Sequence, residues 1–200
     1  MSSKLVLATH NKHKAEELQV MLSNSGIEVL TLDAFPSVSD IVEDQPTLEG
    51  NALKKAREVF LATSLPSLAD DTGLEVEYLD GEPGVFSARY AGPKATYASN
   101  VKKLLKELRG VPPYCRKARF RSVLAFVAPA NFERQTEGIC PGVITEERRG
   151  INGFGYDPIF LPDGYNQTFA EMSLELKNTL SHRAKALMSM SEVLRGYFGN

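Results

Sequence analysis

No apolar run in this chain approaches membrane length, no segment repeats, and no charge of one sign dominates. The 200 residues carry 23 Lys and Arg against 25 Asp and Glu, a formal net charge of −2. That balance argues against a dedicated nucleic-acid binder, which is usually strongly basic. Cysteine is scarce. Cys115 and Cys140 lie far apart and form no C-x-x-C, so they read as reduced thiols in a reducing compartment. The opening Met1–Lys4 leads into only four apolar residues, Leu5–Ala8, too few for a signal core. A cytoplasmic protein without a membrane partner is expected. The phosphate-binding pattern G-x-x-x-x-G-K-[ST] is absent, and Pro158 spoils a G-x-G-x-x-G reading at Gly153-Phe154-Gly155.

What is present is an ordinary globular composition, 42% hydrophobic and 24% charged, which excludes disordered and fibrous classes. The length suits one large domain that buries a core without disulfides. Lys4–Ala8 reads as a short buried strand, followed by the turn Thr9-His10-Asn11. Helical spacing covers Lys12 to about Ser23, from about Thr47, Tyr97 to Leu108, and roughly Asn178 to Tyr197. Leu65–Ala69 reads as a strand end leading into a turn at Asp70-Asp71-Thr72-Gly73. Leu74–Leu79 alternates before Asp80-Gly81, a hairpin signal. Arg119–Val127 and Gln135–Ile144 read as long strands, and Gly150–Pro158 as a loop. Strands mixed with helices throughout predict an α/β or α+β fold with a mixed sheet.

Three places can carry chemistry. Thr9, Asn11 and Lys14 surround the first turn of a helix, where free N–H groups, the helix dipole and a lysine suit phosphate. The same residues serve equally as a helix cap with a solvated lysine. Asp70 and Asp71 are costly at a strand end unless paired or metal-bound, and an oxygen-rich site of this kind suits Mg²⁺. A solvated turn is the plain alternative. Further acids, Asp40, Glu43, Asp44 and Glu49, precede or open the second helix, on which Asn51 and Lys55 share a face. Lys177, Ser181, His182 and Arg183 cluster at the start of the last helix, where cations oppose the helix dipole. His10 and His13 lack a nearby third ligand, so a zinc site is not expected there.

Taken in order, LVLATHNKHKAEEL (5–18), TLEGNALKKA (47–56), LADDTGLEVEYLDGEPGVFSARYAG (68–92), GFGYDPIF (153–160) and LSHRAKAL (180–187) resemble the inosine triphosphate pyrophosphatase family. The resemblance spans almost the whole chain. It implies residues 1–200 as a single two-lobed domain, elongated, with a long mixed central sheet, flanking helices and a central cleft, and a homodimer. It implies magnesium-dependent hydrolysis of non-standard purine nucleoside triphosphates (ITP, dITP, XTP) to monophosphate and pyrophosphate, cleansing the nucleotide pool.

It also implies residue roles. The turn Thr9, His10, Asn11, Lys12, His13 and Lys14 would wrap the triphosphate. Asp71 would be catalytic and hold Mg²⁺, with Asp70 beside it and Thr72, serine in many relatives, touching substrate. Relatives often carry a metal-binding Glu before the second helix. Here Asp40-Ile41-Val42-Glu43-Asp44 makes Glu43 the candidate. Phe154, Gly155, Tyr156 and Asp157 would form the base pocket, with Phe154 stacking on the purine. Lys177, His182 and Arg183 would complete recognition, Arg183 facing the 6-keto oxygen. The rival readings are a Maf-like nucleotide pyrophosphatase of other base preference and a nucleotide-sensing or RNA-binding module without hydrolysis.

Overall fold

A computed structural model describes residues 3–199. In chain order it contains β1 (Lys4–Leu7), α1 (Lys12–Leu22), β2 (Glu28–Leu30), α2 (Leu48–Thr63), β3 (Ser67–Val76) and β4 (Pro83–Gly84). Then come α3 (Tyr97–Glu107), β5 (Lys117–Ala128), β6 (Phe132–Ile144), β7 (Phe160–Pro162), α4 (Leu174–Leu180) and α5 (His182–Phe198). The strands pair in the order β2-β1-β3-β5-β6-β7, with β4 on β3. β1 runs parallel to β2 and β3, whereas β4 on β3 and β7 on β6 are antiparallel, so the sheet is mixed as expected.

Local chemistry accounts for the helix starts. Asn11 accepts from the Lys14 N–H, Thr47 from Gly50, and Thr96 from Ser99 with a reciprocal bond from the Ser99 side, a capping box. Asp80 and Gly81 both take positive φ (50° and 91°), the geometry of a tight hairpin turn, and return the chain as β4.

Two expectations need correction. Asp70–Gly73 is not a turn: β3 runs straight through it, and the expected separate strand at Leu74–Leu79 is β3's end plus a short 3-10 turn. Both aspartates therefore stand inside a buried strand. The last helix is also two. Ser181 takes an extended backbone (ψ 159°) and its N–H still bonds Lys177, ending α4 before α5 begins at His182. Lys177 thus sits within α4, while His182 and Arg183 open α5.

The chain divides into two compact units. Unit 1 comprises Met1–Asp71, Ser122–Gly138 and Arg183–Asn200; unit 2 comprises Thr72–Arg121 and Ile139–His182. In unit 1, Leu5, Leu7, Leu68, Leu124 and Phe126 pack with Leu18 and Leu22 of α1 and with Leu187, Met190 and Leu194 of α5. In unit 2, Leu74, Val101, Leu104, Phe120, Ile144, Phe160 and Phe169 form the core. β5 belongs to both and shows the change in its burial: Lys117–Phe120 alternates exposed and buried, while every residue from Ser122 to Ala128 is buried. Period-two reading catches only the first half, because a strand covered on both faces loses its polar side. Cys115 and Cys140 are free thiols. Among the described residues, no helix is long and apolar enough to cross a membrane.

Candidate active site

Unit 1 gathers its charges around two neighbouring residues of β3. The Asp70 side chain is buried and faces three donors. Arg183 donates to Oδ2 from Nη2 (2.8 Å) and Nε (3.1 Å), the Lys14 ammonium lies 3.1 Å from the same oxygen, and the Ser122 hydroxyl donates to Oδ1 (2.5 Å). Arg183, itself only 1% exposed, also donates from Nη1 to Glu17, a buried acid of α1. Burial alone would raise the Asp70 carboxyl. The guanidinium, then the Lys14 ammonium and the Ser122 hydroxyl, outweigh it and hold the group well below the usual carboxylate range.

Successive strand residues point to opposite faces, and Asp71 meets a different set. Its Oδ1 accepts from the Lys55 ammonium (2.9 Å), which also donates to Glu43 (2.5 Å) and to the Asp70 carbonyl (2.9 Å). Burial is the largest influence on Asp71 and raises it. Lys55 and Lys14 pull it down, the Glu43 carboxylate pushes it back up, and the balance stays above the ordinary value. Glu43 is lowered: burial raises it, but Lys55 more than compensates. Two carboxylates and one ammonium thus share a half-dry spot.

α2 arranges this cluster. Lys54 donates to the Val42 carbonyl (2.8 Å) and Asp44 (2.9 Å), Lys55 to Glu43, and the Asn51 side-chain oxygen accepts from Gln45 N–H (2.9 Å). One helix therefore pins residues 42–45 and presents Glu43 to Asp71, while Val42 points outward. The remaining candidate residues of unit 1 lie at the start of α1. Thr9 Oγ1 accepts from the Asn11 N–H (3.1 Å), and Asn11 caps the helix. Lys14 reaches Asp70. His10 lies near Asp40 (3.6 Å) and His13 near Glu16 (3.8 Å), both rather exposed, and Lys12 is exposed.

Unit 2 holds a second cluster. Asp157, 3% exposed, accepts from the Phe154 N–H (2.9 Å) and from the Lys177 ammonium (2.7 Å) through Oδ2. Gly153 is required there, because a Cβ would stand 2.1 Å from that oxygen and φ is +70°. The Lys177 ammonium lies 5.0 Å from the centre of the half-buried Phe154 ring and 5.5 Å from that of Phe169, within cation–π reach. Tyr97 stands beside Phe154 at 5.8 Å. Gly155 also takes positive φ, +62°. Tyr156 donates its hydroxyl to the Ser87 carbonyl (2.9 Å), and burial, then Tyr90, push its pKa far up. His182 stacks on Phe120 at 4.6 Å and 15°. Thr72 lies half-buried on β3.

Residues 5–193 match the Ham1 family. The chain is 48% identical over 191 residues to the dITP/XTP pyrophosphatase of Desulforamulus reducens, covering 96% of this chain and 95% of that one. The chain belongs to the Ham1 family. Two solved Ham1 structures share its fold. That of Coxiella burnetii has TM-score 0.87 at 41% identity, covering 97% of this chain and 99% of its own. That of Staphylococcus aureus has TM-score 0.85 at 34% identity, covering 98% and 100%.

In this Ham1 chain the candidate residues fall into two groups, each inside its own unit. Glu43, Asp71 and Lys14 join one, and Phe154, Asp157 and Lys177 the other. The Arg183 guanidinium bonds Asp70 and Glu17, and the Asp70 carboxylate meets Arg183, Lys14 and Ser122. Three participants were not singled out as site residues from sequence. Lys55 was visible only as a helix neighbour of Asn51. Glu17 had a signal, an acid beside the apolar Ala15–Leu18 stripe of α1. Ser122 had none.

Among the described residues, no group of three or more His, Cys, Asp and Glu is placed to hold a metal. Magnesium does not need one: it is usually held by one or two carboxylates, with waters and substrate phosphates filling its shell. Glu43 and Asp71 are two carboxylates of that kind, bridged here by the Lys55 ammonium, and Asp71 is raised first by burial and then by the Glu43 charge.

Proposed function

We propose that this protein hydrolyses non-standard purine nucleoside triphosphates, ITP, dITP and XTP, to the monophosphate and pyrophosphate. The observation that carries the reading is the Glu43–Lys55–Asp71 cluster, a carboxylate pair of the kind Mg²⁺ uses, beside the phosphate-suited start of α1. The names of its Ham1 relatives supply the substrate class. Residues 1–200 act as one catalytic domain, working in the cytoplasm as a homodimer, with no nucleic acid or membrane partner; the net charge of −2 agrees with this.

Asp71 and Glu43 would hold the magnesium. When bound, it supplies positive charge to the phosphates and makes an attacking water more acidic. Asp71 orients that water and takes its proton at the carboxylate, with the α-phosphorus as the centre attacked. The P–O bond to the β-phosphate breaks and pyrophosphate leaves. Lys14 and the N–H groups opening α1 bind the charge that builds there. Lys55 holds Asp71 and Glu43 in register. Arg183 acts through Asp70, keeping its carboxylate ionised beside Lys14.

In unit 2, Phe154 offers the purine a stacking face. The Lys177 ammonium and backbone N–H groups suit a 6-keto oxygen, whereas adenine presents a donor there. Leaving buried donors unpaired costs about 1–3 kcal/mol.

Pyrophosphate release from ITP, XTP, dITP, GTP and ATP, with Mg²⁺ and with EDTA, tests the proposal. Magnesium-dependent turnover concentrated on ITP, XTP and dITP is expected. Comparable turnover of ATP defeats the base reading, and turnover unchanged in EDTA defeats the role given to Glu43 and Asp71.

A further inference from the structure

Unit 2 contains a half-open cavity of about 780 Å³ that shares no residue with either cluster described above. Its size is that of a small-molecule site. Five cations line it (Lys102, Lys106 and Arg109 from α3 and the turn after it, Arg116, and Arg148), against one carboxylate, Glu146. In a chain of net charge −2 this is a marked local excess.

Arg116 is the telling residue. It is 3% exposed, and its guanidinium donates only to backbone carbonyls, those of Ile144 and Leu108 and of Thr145, each at 2.7 Å. No carboxylate lies within ion-pair distance of it among the described residues. Those bonds fix the plane of the guanidinium and use three of its five N–H groups, and Glu146 acts on its charge only from beyond ion-pair distance. Burying a charge in that state is costly unless something of opposite sign compensates it. Among the described residues Lys102, Lys106, Arg109 and Arg148 make no ion pair either, and all four are exposed.

The cavity wall between these cations is apolar, formed by Val101 and Leu105 of α3. A recess in which cations outnumber carboxylates five to one over low-dielectric walls focuses the field and concentrates counter-ions. The spacing along α3 matters too. Positions 102, 105 and 106 fall on one face of α3, and Arg109 of the following turn lines the same recess.

We propose that this cavity is a second anion site, which takes a small polyphosphorylated molecule in unit 2 at a place separate from the catalytic residues. Several phosphates match several cations spaced around one recess. Arg116 supplies a fixed charge at the wall, and the exposed lysines and arginines close on the ligand from the rim.

Inorganic tripolyphosphate is the probe, titrated calorimetrically in EDTA against the whole native chain and against a K106E/R148E variant. Both substitutions are on exposed side chains without partners, and the variant's fold is checked by its thermal midpoint. The expected result is a binding component in the native chain that the variant loses by tenfold or more, while magnesium-dependent turnover of ITP stays within about twofold. Weakening should grow with added salt in the native chain, as exposed cations require. Binding of unchanged stoichiometry and affinity in K106E/R148E overturns the proposal, as does absence of binding by the native chain. Loss of turnover in step with loss of binding, in a variant of native thermal midpoint, also overturns it, because the cavity would then not be separate.

Discussion

The two candidate clusters use charge in opposite ways. In unit 1, Asp70, Asp71, Glu43 and Glu17 meet Lys14, Lys55 and Arg183 in a network where Asp70, Lys55 and Arg183 each touch two others. In the unit 2 cluster the ion pair of Asp157 with Lys177 is set among the rings of Phe154 and Phe169. The first arrangement suits a ligand whose own charge is large, because the network already balances several charges and can exchange partners when phosphate arrives. The second suits a flat, nearly neutral ligand that is recognised by stacking and a donor or two.

A finer contrast lies within unit 1. Asp70 and Asp71 are adjacent, equally buried and chemically identical, yet their carboxyl groups move in opposite directions. The strand's alternation sends one to Arg183 and Ser122 and the other to Lys55 and Glu43. The first meets a guanidinium, an ammonium and a hydroxyl; the second shares its ammonium with another acid.

The largest effect should come from breaking the compensated side. Arg183→Met leaves Asp70 and Glu17 buried without their guanidinium, and such a loss typically costs about 3–5 kcal/mol; urea unfolding will show it. Next is the acid limb of stability. Asp70 titrates lower in the folded than in the unfolded chain, so its contribution is present at neutral pH and fades as pH falls through the folded value. Asp71, raised, contributes with the opposite sign, favouring the fold while protonated and losing that as pH rises. In EDTA, Asp70→Asn should flatten the acid loss, whereas Asp71→Asn should improve stability at neutral pH. A smaller change is expected in unit 2, where Phe154→Leu should raise KM for ITP by an amount equivalent to about 1–3 kcal/mol of stacking, with kcat little altered. The smallest is outside both clusters. Arg57 and Glu133 form a bidentate pair (2.7 Å for each bond), but it is largely exposed, and Arg57→Ala should cost under about 1 kcal/mol by the same unfolding assay.

Much of this was legible in the sequence, for identifiable reasons. The starts of α1, α2 and α3 carry their caps in Asn11, Thr47 and Thr96, and Asp80-Gly81 announces a hairpin because few other pairs accept two positive φ values. The break at Ser181 was not legible, since 3.6-residue spacing continues across it and only the backbone of one serine departs. Nor was the passage of β3 through Asp70 and Asp71. Two charged residues argue for a turn unless their partners are known, and those partners come from residues 14, 43, 55, 122 and 183. Long-range compensation of charge leaves no local pattern. For the same reason the sequence pointed to Arg183 as a residue of interest but not to the carboxylates it touches.

The division between adjacent aspartates is tested most directly by measuring ITP turnover and thermal midpoint together for Asp70→Asn and Asp71→Asn. The account predicts that Asp71→Asn keeps or raises its midpoint in EDTA and loses about 10²–10⁴ in turnover, while Asp70→Asn loses thermal stability foremost. An Asp71→Asn enzyme with near-native turnover, or an Asp70→Asn enzyme of native midpoint that is equally inactive, would contradict it.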